Sequence, residues 1–178
     1  MFKISAVIIT KNEEKNIARC LSSLDWADEI VIYDSDSSDN TIPLCKQFNC
    51  RIHSSSIWEG FGITKQKAVD LTHNDWVFVI DADEEISPEL KNCLLSFKNS
   101  LPAFDAYQIK RISYYGNKLV KFSGWQNDYT LRLFNKNFAR FNTKKVHESV
   151  VVNGKTSQIN QPILHFTYPE IKTHIQKM

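Results

Sequence analysis

The chain has 178 residues, with 42% hydrophobic and 24% charged residues and a formal net charge of +2 at pH 7. These values lie near the average for globular proteins, which excludes a disordered chain, a collagen-like fibre and a coiled coil. Residues 1–109 carry 10 Lys and Arg against 17 Asp and Glu, whereas residues 110–178 carry 12 against 3. We therefore expect the carboxylates of a metal site in the first half. The basic second half suits an anionic partner or an anionic membrane surface, or is a solvated face.

The start of the chain runs into a strand-like stretch without the charged and apolar regions of a secretory signal. No apolar run approaches the ~20 residues that cross a bilayer. The cysteines have none of the spacings of a metal site and are expected to be reduced core residues: Cys20, Cys45, Cys50 and Cys93. These features predict a cytoplasmic protein with no membrane-spanning segment.

The first hundred residues alternate between strand and helix patterns. Strands are predicted at Ile4–Thr10, Glu29–Asp34, Arg51–Ser54 and Asp75–Asp81, with helical patterns at residues 17–24, 41–48, 62–72 and after Ser87. Strands separated by helices imply a parallel, right-handed, doubly wound α/β sheet, whose ligands bind beyond the carboxyl ends of the strands. The functional residues are therefore expected at that edge.

Beyond Pro102 the pattern changes to strands, with alternating apolar residues from Tyr107 to Ile112 and further strands at Leu131–Phe134 and Val150–Val152. This predicts an α+β extension of the sheet. Residues 175–178 resemble a helix without a C-cap, so the chain is expected either to be truncated at its C-terminus or to lack a C-terminal element.

Two carboxylates follow the most hydrophobic predicted strand. The two-residue period of a strand projects Asp81 and Asp83 to the same side. Hard oxygen ligands suit Mg²⁺ or Mn²⁺, which keep open positions for phosphate oxygens, so the pair is suited to bridging a diphosphate. The alternative is that one Asp caps the next helix, but Ser87 is better placed for that.

A short acidic loop, Asp34–Thr41, follows the second strand at the same predicted edge. Such a loop can bind a base or a ribose through hydrogen bonds. Asp34, at the end of its strand, is the better ligand candidate, whereas Asp39 is expected to cap the helix that begins at Thr41.

Three segments in this order resemble glycosyltransferase family 2, whose members have the GT-A fold: Val7–Glu13, Asp34–Thr41 and Asp81–Glu84. Three others resemble bacterial lipopolysaccharide-core and lipooligosaccharide β-1,4-glucosyltransferases: Trp58–Gly62, Leu131–Phe134 and Val146–Glu148. The resemblance implies one GT-A domain over residues 1–178, with a nucleotide-sugar-binding half at 1–100 and an acceptor-side half at 101–178. It also implies transfer of a hexose, with glucose expected, from a UDP-sugar to a lipopolysaccharide-core, lipooligosaccharide or other glycan acceptor, with inversion.

The resemblance carries site residues over by position. The uridine would be held by Thr10, Asn12, Glu13 and Asp34. Lys65 would lie near the diphosphate, where the family often has Arg. Asp81 would face the ribose or the metal, and Asp83 would be the direct ligand of Mg²⁺ or Mn²⁺. Asp36 departs from the family, in which Gly is usual, and this is expected to alter the loop's backbone.

An inverting displacement needs one base beside the acceptor hydroxyl. Glu148 aligns loosely with the acidic pair that supplies the family's base, although His147 replaces the first acid. The other interpretation of Glu148 is a salt bridge with Lys144 or Lys145. The role of base is therefore assigned to Glu148 as a hypothesis.

Asp128 is the second candidate for the base, since it precedes a strand and follows Trp125, whose ring could stack on a sugar. His165 is either a further metal ligand or a structural residue. The partners implied are a UDP-sugar, an anionic glycan or glycolipid, and peripheral contact with the cytoplasmic face of the inner membrane. No nucleic acid is expected.

Two other functions remain open. A phosphatase of the Asp-x-Asp type would use Asp81 as nucleophile and Asp83 as acid, although its motif normally follows the first strand. A non-catalytic nucleotide-sugar- or glycan-binding module would have the donor site alone.

Overall fold

The computed structural model describes residues 1–115, 118–120, 128–143 and 148–168. Its helices are α1 (Ile17–Ser22), α2 (Thr41–Cys45), α3 (Phe61–Asp70) and α4 (Pro88–Lys98). Its strands are β1 (Ile4–Thr10), β2 (Glu29–Asp34), β3 (Arg51–Ser54), β4 (Trp76–Val79), β5 (Glu84–Ile86), β6 (Ala106–Tyr115), β7 (Lys118–Leu119), β8 (Asp128–Asn135), β9 (Ala139–Phe141), β10 (Val150–Val152) and β11 (Thr156–Tyr168). Among these residues, no helix is both long and apolar enough to cross a membrane.

The main sheet has the strand order β3-β2-β1-β4-β8-β6-β11-β5, and β7 pairs with β6. The first four strands are parallel to one another, as predicted for strands that alternate with helices. The second half continues the same sheet: β8 is antiparallel to β4 and β6, β11 is parallel to β6, and β5 is antiparallel to β11. The predicted doubly wound α/β sheet with a β-rich extension is confirmed.

Two apolar layers cover the faces of this sheet. One layer joins alternate residues of the strands, such as Ile8 and Phe78, to buried residues of α1, α2 and α4, including Leu21 and Leu94. The other joins the opposite side chains to α3 and to the two-stranded β9–β10 ribbon. Both faces of β4 are buried, because its four residues lie between these layers. This explains the continuous hydrophobic run.

Strand β5 was not predicted, because Glu84 and Glu85 do not resemble strand residues. The chain turns after β4, where the Glu84 N–H donates to the Asp81 carbonyl oxygen at 3.0 Å, and residues 84–86 then pair with β11. The fourth strand is accordingly shorter than predicted and ends at Val79, with Asp81 beyond it.

Other local predictions are tested by the hydrogen bonds. Ser87 caps α4, since its hydroxyl oxygen accepts from the Leu90 N–H at 3.1 Å, and Pro88 begins the helix. Asp39 accepts from the Thr41 N–H at 2.9 Å, but the N-cap residue of α2 is Asn40, so the prediction that Asp39 is the cap is wrong by one position; the helix also ends earlier than predicted, at Cys45. All four cysteines are free thiols. The predictions for residues 175–178, and for Trp125, Lys144, Lys145 and His147, lie outside the described residues.

Candidate active site

A cavity of about 160 Å³ lies at the carboxyl edge of the parallel strands, and we call it the donor cavity because it contains residues that the sequence resemblance predicts to bind the donor. Its polar lining residues are Thr10, Lys11, Glu13, Ser35, Asp81 and Asp83. They lie at or just beyond the carboxyl ends of β1, β2 and β4, because parallel strands bring these ends to one edge of the sheet. Four residues assigned from the sequence therefore meet here: Thr10, Glu13, Asp81 and Asp83.

The Thr10 hydroxyl has no hydrogen-bond partner among the described residues, although the side chain is only 4% exposed. A buried hydroxyl without a partner is costly, and native proteins usually provide one. Thr10 lines the donor cavity, so its hydroxyl is a candidate for a hydrogen bond with a bound ligand.

Asn12 and Asp34 hold the loops around this cavity instead of lining it. The Asn12 side-chain oxygen accepts from the Ser38 N–H at 2.8 Å, and Asp34 accepts from the Ser37 N–H at 3.0 Å and from its hydroxyl at 2.5 Å. Asp36 has a φ of 63°, which is a left-handed conformation that glycine adopts without steric strain. The loop therefore keeps the backbone expected of a glycine at that position.

Asp81 forms two ion pairs with its two carboxylate oxygens. Oδ1 lies 3.0 Å from Lys65 Nζ, and Oδ2 lies 2.7 Å from Arg132 Nη2. Burial alone would raise the pKa of the Asp81 carboxyl, but the charges of Arg132 and Lys65 outweigh it and lower this pKa well below its usual range. Asp81 is therefore ionised and already neutralised by protein cations.

Asp83 has a different environment, although it is only two residues away. Its Oδ2 lies 3.4 Å from His165 Nε2, and the other ring nitrogen, Nδ1, lies 3.3 Å from the Ser113 hydroxyl. The Asp83 side chain is 25% exposed and lines the donor cavity. Both carboxylates thus line one cavity although they follow the end of β4 and lie outside the strand, and Asp83 faces a histidine instead of two cations.

A second cavity, of about 390 Å³, shares Asp81 with the first, and we call it the acceptor cavity because it contains Glu148, which is predicted to be the base beside the acceptor. Its charged lining residues are Lys65, Asp81, Arg111, Arg132 and Glu148. Glu148 Oε1 lies 3.1 Å from Lys65 Nζ, the same nitrogen that contacts Asp81. One lysine thus joins the predicted base to the carboxylate shared by the two cavities.

Asp128, the second candidate for the base, is held by a guanidinium group. Its Oδ2 lies 2.7 Å from Arg111 Nε and 2.6 Å from Nη2. The two residues are cross-strand neighbours on β6 and β8. Asp128 is not one of the described residues that line the acceptor cavity.

A larger cavity of about 750 Å³ lies at the opposite edge of the sheet, where its lining includes Lys3, Glu29, Arg51 and Asn74 near the amino ends of the parallel strands. None of the site residues predicted from the sequence lines it. Parallel α/β sheets bind ligands at the carboxyl edge, so size alone does not make this cavity the active site.

The family follows from a comparison of the sequence with known proteins. Residues 5–159 match the family described as Glycosyl transferase family 2. The chain belongs to this family. A protein of Rickettsia felis described as an uncharacterized glycosyltransferase is 35% identical over 189 residues, which cover 99% of this chain and 66% of that protein.

Two further relatives extend the comparison. A lipopolysaccharide core biosynthesis glycosyltransferase, LpsC of Rhizobium meliloti, is 31% identical, over 92% of this chain and 63% of that protein. The chain thus spans just under two-thirds of the length of these two relatives. A crystal structure of S. aureus TarS in complex with UDP-GlcNAc has a TM-score of 0.69 at 18% identity, over 93% of this chain and 58% of that one. This likeness identifies the fold as GT-A.

In this family 2 chain, sequence reasoning missed a buried ion pair behind Asp81. Glu84 is fully buried, Arg132 is 5% exposed, and Arg132 Nη2 lies 2.7 Å from Glu84 Oε1. Burial and Asp81 raise the pKa of the Glu84 carboxyl although Arg132 opposes them, while Asp81 and Glu84 raise the pKa of Arg132 despite its burial. The available signal was a charged residue inside the apolar strand Leu131–Phe134.

Proposed function

We propose that this chain carries the donor and acceptor sites of an inverting glycosyltransferase. It would transfer a hexose, with glucose as our choice, from a UDP-sugar to a lipopolysaccharide-core, lipooligosaccharide or other glycan acceptor. The observation that carries the proposal is that Asp81 lies in the lining of both cavities, so a donor and an acceptor bound there would meet at one carboxylate. Two of the similar proteins support this proposal: LpsC is described as a lipopolysaccharide core biosynthesis glycosyltransferase, and TarS was crystallised in complex with UDP-GlcNAc.

The donor would bind with its uridine beside β1 and β2. The unpartnered Thr10 hydroxyl and the Glu13 side of the cavity would contact the nucleoside, and Asn12 and Asp34 would hold the surrounding loops. Lys65 lines the acceptor cavity and would reach the diphosphate from that side, because its ammonium group lies 3.0 Å from Asp81, which lines both cavities. A cation there stabilises the charge that develops on the leaving UDP.

Asp83, Asp81 and His165 are the residues that would hold a divalent cation together with phosphate oxygens of the donor, although the described residues contain no group of three or more His, Cys, Asp or Glu placed to bind a metal by themselves. Asp83 supplies a carboxylate in the lining of the donor cavity, and the adjacent imidazole of His165 is oriented by Ser113, as second-shell groups orient metal-binding histidines. Asp81 would join the ion by exchanging a contact with Lys65 or Arg132. Bound Mg²⁺ or Mn²⁺ would neutralise phosphate oxygens of the donor.

Glu148 would be the base. The acceptor oxygen attacks the anomeric carbon from the face opposite the diphosphate, its proton passes to a Glu148 carboxylate oxygen, and the bond between that carbon and the phosphate oxygen of UDP breaks. Glu148 is preferred over Asp128 because it lines the acceptor cavity and shares Lys65 with Asp81, whereas Asp128 is held by Arg111.

The donor site and the acceptor site would be formed mainly by different halves of the chain. All donor-cavity residues lie within 9–83, and most acceptor-cavity residues lie beyond 107, which supports a nucleotide-sugar-binding half at 1–100 and an acceptor-side half at 101–178. The excess of Lys and Arg beyond residue 109 favours an anionic glycan or glycolipid as acceptor. We propose a cytoplasmic location with peripheral contact to the inner membrane.

Calorimetric titration of UDP in the presence of Mn²⁺ tests the donor site. Asp83→Ala removes one hard ligand at a partly exposed position, so we expect an affinity loss of at least about 100-fold and an unchanged unfolding midpoint. Glu85→Ala is the matched control, because this acid lies two residues further along and outside the donor cavity. Wild-type affinity in the Asp83 variant would refute the metal-assisted donor site.

A further inference from the structure

The loop that joins β3 to α3 exposes large apolar side chains beside the donor cavity. Ile57 is 69% exposed, Trp58 is 48% exposed, and Phe61, the first residue of α3, is 49% exposed. Single exposed apolar residues are common, but adjacent ones at the mouth of a cavity indicate a binding surface. Trp58 is the member of this group that lines the donor cavity.

The Trp58 indole is held by local structure. Its ring centroid lies 4.9 Å from that of Phe61, with an angle of 87° between the ring planes, which is a favoured edge-to-face geometry. Gly60 precedes α3 with a φ of 96°, a conformation that other residues rarely adopt. The turn and the Phe61 ring therefore present the indole at the cavity, although half of its surface is exposed.

The strand order indicates which part of a donor Trp58 would meet. β3 lies beyond β2, on the side of the sheet away from β4, which leads to Asp81 and Asp83. A loop that follows β3 therefore reaches the cavity from the side of Thr10 and Ser35, where the nucleoside is placed. Phosphate groups beside Asp83 would lie at the opposite end.

We infer that Trp58 is the stacking platform for the nucleobase of the donor, an inference that rests on the proposed nucleoside-diphosphate-sugar substrate. A uracil ring lying on the indole would cover apolar surface that is exposed in the free protein. Aromatic side chains bind bases in this way through their π-faces, with little dependence on which base is present. Trp58 would thus provide affinity, while hydrogen bonds elsewhere in the cavity provide selectivity.

Calorimetric titration with two ligands tests this role, using UDP and inorganic pyrophosphate, each with Mn²⁺. For Trp58→Ala we expect UDP affinity to fall by about 5- to 150-fold, the range of one base–aromatic stack, and pyrophosphate affinity to remain unchanged. Trp58→Phe should retain UDP affinity within about three-fold, because a ring remains to stack on. Ile57→Ala is the matched control, because Ile57 is the exposed apolar neighbour of Trp58 in the same loop but does not line the donor cavity.

The outcomes separate this inference from the proposed function. Unchanged UDP affinity in Trp58→Ala, or equal losses for UDP and pyrophosphate, would overturn the stacking role while leaving the donor site in place. A loss in Ile57→Ala as large as that in Trp58→Ala would also overturn it, because the loop would then act through its general apolar surface or its shape and not through the indole. Failure of the wild-type protein to bind UDP would instead contradict the proposed donor.

Discussion

The donor and acceptor cavities share Asp81 but differ in how their polar groups are satisfied. In the donor cavity the Thr10 hydroxyl lacks a partner within the described part of the chain, and Asp83 faces one histidine. In the acceptor cavity each charged lining residue pairs with another protein charge, as Lys65 does with Glu148. The first cavity therefore contains one buried hydroxyl without a partner among the described residues, whereas the second is a neutralised network that fixes side chains in position.

This difference has a structural origin. The donor cavity is built from loops at the ends of parallel strands, where backbone direction alone brings side chains together. The acceptor cavity uses the antiparallel strands β6 and β8 and the β9–β10 ribbon, where long side chains reach across the sheet. Substitutions in the network should therefore alter catalysis or stability, and those in the donor cavity should alter ligand binding.

The largest effect is expected at Glu148. Glu148→Gln keeps the side-chain shape but cannot accept the proton of the acceptor hydroxyl, so turnover should fall by about 10²–10⁴-fold. UDP affinity should stay near the wild-type value, because Glu148 lies outside the donor cavity. Sugar-transfer rates and calorimetric binding check this pair of outcomes. Asp128→Asn is the comparison variant, and a turnover loss there with near-normal Glu148→Gln would transfer the role to Asp128.

Arg132→Met should lower the free energy of unfolding, because Arg132 is a cation of a buried ion-pair network. It leaves Asp81 and fully buried Glu84 without their shared cation, and removing one partner of a buried ion pair costs about 3–5 kcal/mol in the free energy of unfolding. Lys91→Met is the control, because its pair with Asp25 is exposed and should contribute about 0–1 kcal/mol. Urea unfolding measures both, and equal losses would show that the buried network contributes little.

The smallest expected effect is a pH-dependent loss of stability in Asp81→Asn. The folded-state pKa of Asp81 lies below its ordinary value, so the stabilisation from its carboxylate is present above about pH 4 and lost as pH falls further. Asp81→Asn should therefore be less stable than wild type by about 1–3 kcal/mol near neutral pH, the contribution of charged hydrogen bonds. This difference should shrink below about pH 4. Asp25→Asn, at an exposed acid, should show no such trend, and a constant difference for Asp81→Asn would contradict the assignment.

Much of the donor side could be predicted from sequence because its information is local. The continuous apolar run ending at Val79 indicates a strand buried on both faces, and Asp81 and Asp83 follow that strand closely enough to reach one cavity, although the strand ends before them. Ser87 and Pro88 identify the start of α4 for an equally local reason. The acceptor side was less predictable, because the partners of Glu148 and Asp128 are distant in sequence.

The sequence by itself determined the alternation of strands and helices, the edge at which the acidic residues gather, and the family. The tertiary structure alone decided that Asp81 is held between Lys65 and Arg132 while Asp83 faces His165. It also decided that Glu84 lies in a strand. The physical reason is range: periodicity and capping act over a few residues, whereas ion pairs and strand pairing join residues separated by tens of positions, and only the folded chain brings those together.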